Sequence, residues 1–219
     1  ANTQGAQNVA VGYNVLGANT TASSNTGVGH KALEVNTTGG DNTAVGSIAL
    51  DANTTGASNN AFGRDALGGN TTGSQNCAFG QSTLSNNTTA NDNSAFGNTA
   101  LHLNTTGAQN TAVGRQSLNQ NTTGSNNVAL GYNALYNNTT ADDNTVIGTQ
   151  AGDAVTTGHT NTLIGRHAGG VISTGHENVA IGANALDAVT TGNDHVAVGY
   201  GALGALTSGT RMTGVGYAA

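Results

Sequence analysis

A glycine recurs every 17 residues from Gly12 to Gly216, through Gly29, Gly46, Gly63, Gly80, Gly97, Gly114, Gly131, Gly148, Gly165, Gly182 and Gly199, without insertion or deletion. Such strict register marks a chain that stacks like units on one another, because one slipped unit would misalign every side chain beyond it. The unit reads N-x-A-Φ-G-x-x-A-L-x-x-N-T-T-G-x-x, with Φ apolar, and is plainest from Asn110 to Gly124. Paired threonines, asparagine and glycine oppose an α-helix, whereas short alternating runs bounded by Gly and Asn are strand and turn chemistry. No Asn-Gly dipeptide occurs, so the commonest hairpin signal is missing and coiling is favoured over folding back. The fold predicted is all-β, with residues 1–219 forming one parallel β-solenoid of thirteen coils, one 17-residue repeat per coil. At ~4.8 Å per coil the stack would be about 58 Å long. Aromatic residues are only 4 % of the chain and tryptophan is absent, which excludes a thick core. Charged residues at 7 % would also suit a disordered chain, and the unbroken period decides for a thin structure held by backbone hydrogen bonds.

Alternation assigns the columns. The residue before each repeat glycine is always apolar, as in Val11, Val28, Val45, Phe62, Phe79, Phe96, Val113, Leu130 and Ile147, and this column is expected to be the core. The residue two earlier (Val9, Thr26, Thr43, Cys77, Val128, Val179) shares that face, so the small residue between them (Ala10, Ala44, Ala61, Ala78) is expected to point outward. An outward column kept small suggests close approach by another chain. Leu16, Leu33, Leu50, Leu67, Leu84, Leu101, Leu118 and Leu135 form a second apolar column, which either closes the coil or faces that neighbour. Besides the glycines Gly12, Gly29, Gly46 and their equivalents, two structural ladders are predicted. Asn8, Asn25, Asn42 and onward to Asn178 form one, and Asn19, Asn36, Asn53 and onward to Asn138 the other, their amides bonding along the stack.

Two features break the uniformity. The second ladder ends at Asn138 and continues as Val155, Ile172, Val189 and Leu206, while Gly152 and Gly169 replace leucine, so volume lost in one column is expected to be filled from the other. A three-repeat superperiod spaces Asp41, Asp92, Asp143 and Asp194 by 51 residues, and Arg64, Arg115 and Arg166 likewise. Duplication of a three-repeat block is the simpler reading; charge stripes that fix register between chains are the functional one, although exposed pairs contribute only ~0–1 kcal/mol each.

The net charge of −6 is spread without blocks, and five basic residues make no nucleic-acid footprint. No apolar run reaches the ~20 residues of a membrane span. Gly199, Gly201 and Gly204 match G-x-G-x-x-G, but Gly199 belongs to the repeat and no helical pattern follows. His159 and His176, one repeat apart, should stack near Glu177 and Asp194 as a solvated turn, since a metal centre needs three or four convergent ligands. No catalytic, cofactor or metal residues are assigned, and an enzyme is not expected. The Asn19-Thr20-Thr21 sequon and its equivalents read as ladder residues, because sugars at ~5 Å spacing could not all fit. Tyr13, Tyr132, Tyr200 and Tyr217 share one column and are candidate surface contacts for a glycan or protein receptor. Regular threonine columns at Thr20, Thr37, Thr54 and at Thr21, Thr38, Thr55 raise ice binding as an alternative, although strand alternation would expose only one of them.

At N-x-A-Φ-G the repeat resembles the coil of YadA-type trimeric autotransporter adhesin heads, and the longer N-T-A-V-G-Y-N-A-L-x-x-N-T-T-G form is similar to arrays in phage tail fibres and bacterial surface fibres. The resemblance implies a left-handed parallel β-roll in a homotrimer, with the residues flanking Ala inside the coil. It also implies an extracellular structural or adhesive module, on a bacterial surface or a virion tail, that attaches to a host or presents a receptor-binding tip. The 17-residue unit is longer than that family's, and residues 1–219 contain no neck, stalk or anchor pattern. A self-assembling surface filament is a further alternative. Neither end carries a capping sequence, so end-to-end continuation into further fibre segments is expected.

Overall fold

The computed structural model describes residues 3–219, which contain thirteen three-residue strands and no helix. Two compact units carry them, residues 1–109 and 110–219. The first holds β1 (Val9–Val11), β2 (Thr26–Val28), β3 (Thr43–Val45), β4 (Asn60–Phe62), β5 (Cys77–Phe79) and β6 (Ser94–Phe96). The second holds β7 (Thr111–Val113), β8 (Val128–Leu130), β9 (Thr145–Ile147), β10 (Thr162–Ile164), β11 (Val179–Ile181), β12 (Val196–Val198) and β13 (Thr213–Val215). Within each unit consecutive strands pair in parallel, and every paired residue lies 17 positions from its partner, as in Thr43↔Asn60 and Thr145↔Thr162. The protein is an all-β parallel β-solenoid with one repeat per coil.

Tight coiling requires left-handed backbone at residues that rarely adopt it. In the coil around β3, Asp41 (φ 59), Ile48 (φ 52) and Leu50 (φ 51) all do so. Each such residue costs about 1–2 kcal/mol. Hydrogen bonds between coils offset that cost at the same residues: Asp41 N–H donates to Ser23 O (3.1 Å), Ile48 N–H to His30 O (2.8 Å) and Leu50 N–H to Ala66 O (3.0 Å). The repeat glycine is required on two counts. Gly46 has φ 145, and a Cβ there would overlap the carbonyl of Gly63 in the next coil.

The interior reverses the sequence assignment of the strand faces. Ala44, Ala61, Ala78, Ala95 and Ala112 are fully buried, whereas the apolar residues before the glycine face out, with Phe79 37 % and Leu130 42 % exposed. Alternation defines two faces without saying which is inside, and size was the wrong guide. A coil with three-residue strands must also hold the Leu50 column and two asparagine ladders, leaving room on the strand for little more than a methyl group. The same finding corrects the resemblance, since the residues flanking Ala do not point inward here. The leucine column, left open by sequence, closes the coil: Leu33 through Leu135 are fully buried.

Both asparagine ladders are buried, apart from the half-buried Asn8, and meet at one carbonyl per coil. Asn42 and Asn53 each donate through Nδ2 to Gly56 O at 2.9 Å, and Asn59 and Asn70 do the same to Gly73 O. Ladder bonds run between coils as well, from Asn53 Nδ2 to Asn36 Oδ1 (2.8 Å) and from the Asn42 backbone N–H to Asn25 Oδ1 (3.0 Å). The N-T-T-G segment thus supplies both a ladder asparagine and the carbonyl it binds. Beyond Asn138 the carbonyl keeps one donor, as Asn144 to Gly158 O (3.0 Å), and Val155, Ile172 and Val189 fill the space dry. The missing leucines at Gly152 and Gly169 are replaced from both columns: a Cβ at either glycine would lie 2.8 Å from Leu163, and the residues expected to fill the space, Val155 and Ile172, would lie 3.5 Å from Gly152 and 3.0 Å from Gly169.

Candidate functional site

The reversal puts an apolar surface on the outside of the strands. Val9, Val11, Phe79, Phe96, Val128, Leu130, Ile181, Val196 and Val215 are exposed, and Phe62, Val113 and Ile147 are half-buried beside them. Phe62, Phe79 and Phe96 form a continuous stack, with ring centroids 4.4 and 5.2 Å apart and planes within 9°. The parallel register places like on like, so each ring covers its neighbours' faces and leaves an edge outward. Cys77, the single cysteine, lies two residues before Phe79 on the same face, half-buried, and desolvation pushes its thiol pKa up. The thiol is therefore a weak nucleophile, suited to packing rather than chemistry.

The edges of this face are charged. Two residues before the strands stand Asp41, Asp92, Asp143, Glu177 and Asp194; two residues after them stand Arg64, Arg115 and Arg166. All but Asp194, which is half-buried, are exposed.

The four candidate tyrosines are all exposed and lie in the arginine column. Tyr200 and Tyr217 are brought together as a stacked pair at 5.3 Å; Tyr13 stacks on His30 at 5.4 Å, and the Arg115 guanidinium lies 5.8 Å from the Tyr132 ring centre. His159 and His176 stack at 4.9 Å with planes 1° apart, and Glu177 Oε2 is 3.9 Å from His176 Nδ1. Among the described residues no three His, Cys, Asp or Glu side chains converge as metal ligands. Sequon asparagines Asn19, Asn36 and Asn53 are fully buried with committed amides, which bears out their reading as ladder residues.

The threonine pairs sit in a bend rather than a strand, so the face rule does not apply to them. Thr38, Thr55 and Thr72 are exposed, while Thr37, Thr54 and Thr71 are half-buried, each hydroxyl donating 2.9 Å to the next coil's carbonyl. Only the first set keeps its hydroxyls for solvent. Directly after the leucine column, Asp51, Asp153 and Asp187 have carboxyl pKa values raised by burial.

No protein-family model matches this chain, and no curated protein or solved structure matches it either. Among the described residues no helix is long and apolar enough to cross a membrane.

Proposed function

We propose that the chain is a structural and adhesive module of an extracellular fibre, whose copies associate side by side through the outward strand face as a homotrimer. The supporting observation is the exposed apolar column, held at every coil and reaching a three-ring stack at Phe62, Phe79 and Phe96. Burying such surface is worth roughly 25 cal/mol per Å². With the backbone taken as fully extended between the acidic and basic edge columns, the first unit's face has an upper limit of roughly 500 Å², ~24 Å along the stack by ~20 Å across. One unit by itself falls short of the ~800 Å² that a stable interface buries per partner. The number three and the bacterial-surface or virion-tail setting rest on the resemblance to adhesin heads and tail fibres. Tyr13, Tyr132, Tyr200 and Tyr217, in the arginine column at the rim of the apolar strip, are the proposed contacts for a host glycan or protein where that rim meets solvent. The module works as a scaffold and contact surface, without catalysis or cofactor.

Sedimentation equilibrium tests this directly. The expected mass is three times that of the chain, falling to the monomer for Phe79→Asp with an unchanged circular dichroism spectrum. A monomer at the highest soluble concentration of the unaltered chain overturns the reading. A second reading, ice binding, is favoured by the exposed hydroxyls of Thr38, Thr55 and Thr72. Thermal hysteresis and crystal shaping would support it, and their absence removes it.

A further inference from the structure

An apolar face that repeats every coil has a weakness as an interface. Sliding one copy along another by one coil, about 5 Å, restores nearly the same contacts, so the apolar residues alone choose neither register nor direction. The charged edges do not share that degeneracy. Within residues 1–109, Asp41 and Asp92 are three coils apart, and Arg64 stands one coil beyond Asp41. Within residues 110–219, Asp143 and Asp194 are three coils apart, Arg115 and Arg166 likewise, and Arg166 stands one coil beyond Asp143. The arginine column carries no acid, and the acidic column carries one base, Arg211, already paired with Asp194 at 3.8 Å. Among the described residues, Asp41, Asp92, Asp143 and the three arginines make no ion pair within 4 Å in the chain, although Arg166 acts at longer range on the Asp187 carboxylate.

We infer that the partner of the strand face is a second copy lying parallel and without axial displacement, and that the three-coil charge period sets this direction and register. The inference rests on the side-by-side association proposed above. Two such faces brought together with their stacks running the same way are related by rotation about the stack direction, which places the basic edge of one against the acidic edge of the other. Turned end for end, each edge meets its like. In the parallel arrangement without displacement, Arg64 has Asp41 of the neighbour one coil away, within the reach of its side chain, and Arg166 has Asp143 one coil to one side and Glu177 one coil to the other. A slip of one coil aligns one edge and carries the other two coils out. In a closed ring each contact recurs at every interface, so a slip cannot accumulate. Exposed pairs of ~0–1 kcal/mol each are too weak to hold the copies together. Several acting at once still decide among registers that the apolar surface leaves equal, the role charge complementarity has at interfaces generally.

The test uses the full chain with Cys77→Ser and a single nitroxide label at Thr38→Cys or at Thr89→Cys, exposed positions off the strand face and three coils apart. Pulsed electron resonance should give one narrow distance, the same at both sites, because parallel copies keep labels level. Arg64→Glu, Arg115→Glu and Arg166→Glu together should spread that distance into several or dissociate the copies. Adding Asp41→Arg, Asp92→Arg and Asp143→Arg should restore it; Arg211 already occupies that column at φ 58. Different distances at the two sites, or a narrow distribution kept by the triple arginine variant at low salt, overturn the inference while leaving the association standing. A monomeric unaltered chain overturns both.

Discussion

Replacing Asn70 and Asn138 by valine should give unequal losses, because the two residues stand at different places in the same kind of ladder. Asn70 Nδ2 donates to Asn53 Oδ1 (2.9 Å) and Gly73 O (2.9 Å), and Asn70 Oδ1 accepts from Asn87 Nδ2 (2.8 Å). Gly73 O keeps its second donor, Asn59, so Asn70→Val strands two buried groups: the Asn53 oxygen and one Asn87 N–H. At about 1–3 kcal/mol for each unsatisfied buried group, the loss is roughly 4 kcal/mol. Asn138 donates to Asn121 Oδ1 (2.8 Å) and Ala141 O (3.1 Å), but its own Oδ1 is already buried without a partner. Ala141 O retains Asn127, so Asn138→Val takes one donor from the Asn121 oxygen and removes an existing unpaired atom. Its loss should be about 1–2 kcal/mol. Valine fits, since Val155 occupies the next place in that column, fully buried. Native-state hydrogen exchange at the flanking amides reads both losses locally, avoiding a global unfolding constant that a stack of coils does not define. Equal losses, or a larger one at Asn138, would refute the hydrogen-bond accounting and make the ladder a matter of shape.

Gly80→Ala should destabilise by more than about 1 kcal/mol by chemical denaturation, because alanine at φ 137 is strained and its methyl would meet Gly97 O at 2.6 Å. Ala112→Val should cost about 1–3 kcal/mol by overpacking a fully buried site. Val113→Phe, one residue along, should cost almost nothing, and equal costs would put the strand faces back where alternation and size had them. His195 stands at the end of the first asparagine ladder, fully buried with Nε2 unpartnered; His195→Asn should gain about 1 kcal/mol and slow exchange of the Met212 amide, which now donates to His195 Nδ1 at 3.2 Å. Asp51, Asp153 and Asp187 bind their protons more tightly folded than unfolded, so their contribution to stability falls as pH rises from about the ordinary carboxyl value of 3.8 through the raised folded values. Asp51→Asn should therefore melt higher than the parent at pH 7 and differ less from it at pH 4; a lower melting temperature at pH 7 counts against burial as the cause.

Period, strand identity and register were legible because one 17-residue interval fixes all three, and the ladders followed from like residues stacking on like. Inside and outside were not legible from alternation, yet a signal for them stood in the sequence. The column before the repeat glycine changes from Val45 to Phe62 to Leu130 without compensation elsewhere, and a narrow close-packed interior could not absorb such changes in volume. The alanine column departs upward in size only at Val146 and Leu163, where Gly152 and Gly169 open the leucine column to receive them. Covariation of volume identifies the inside, and freedom of volume identifies the outside. The meeting of both asparagine ladders on one carbonyl was out of reach, since it depends on how far the bend at Thr54 and Thr55 turns the Gly56 carbonyl inward. The same criterion bears on the proposed interface: a face free to vary between valine and phenylalanine from coil to coil specifies no register by shape, so whatever fixes the register must lie at its edges, where the arginines and aspartates keep a period of three coils.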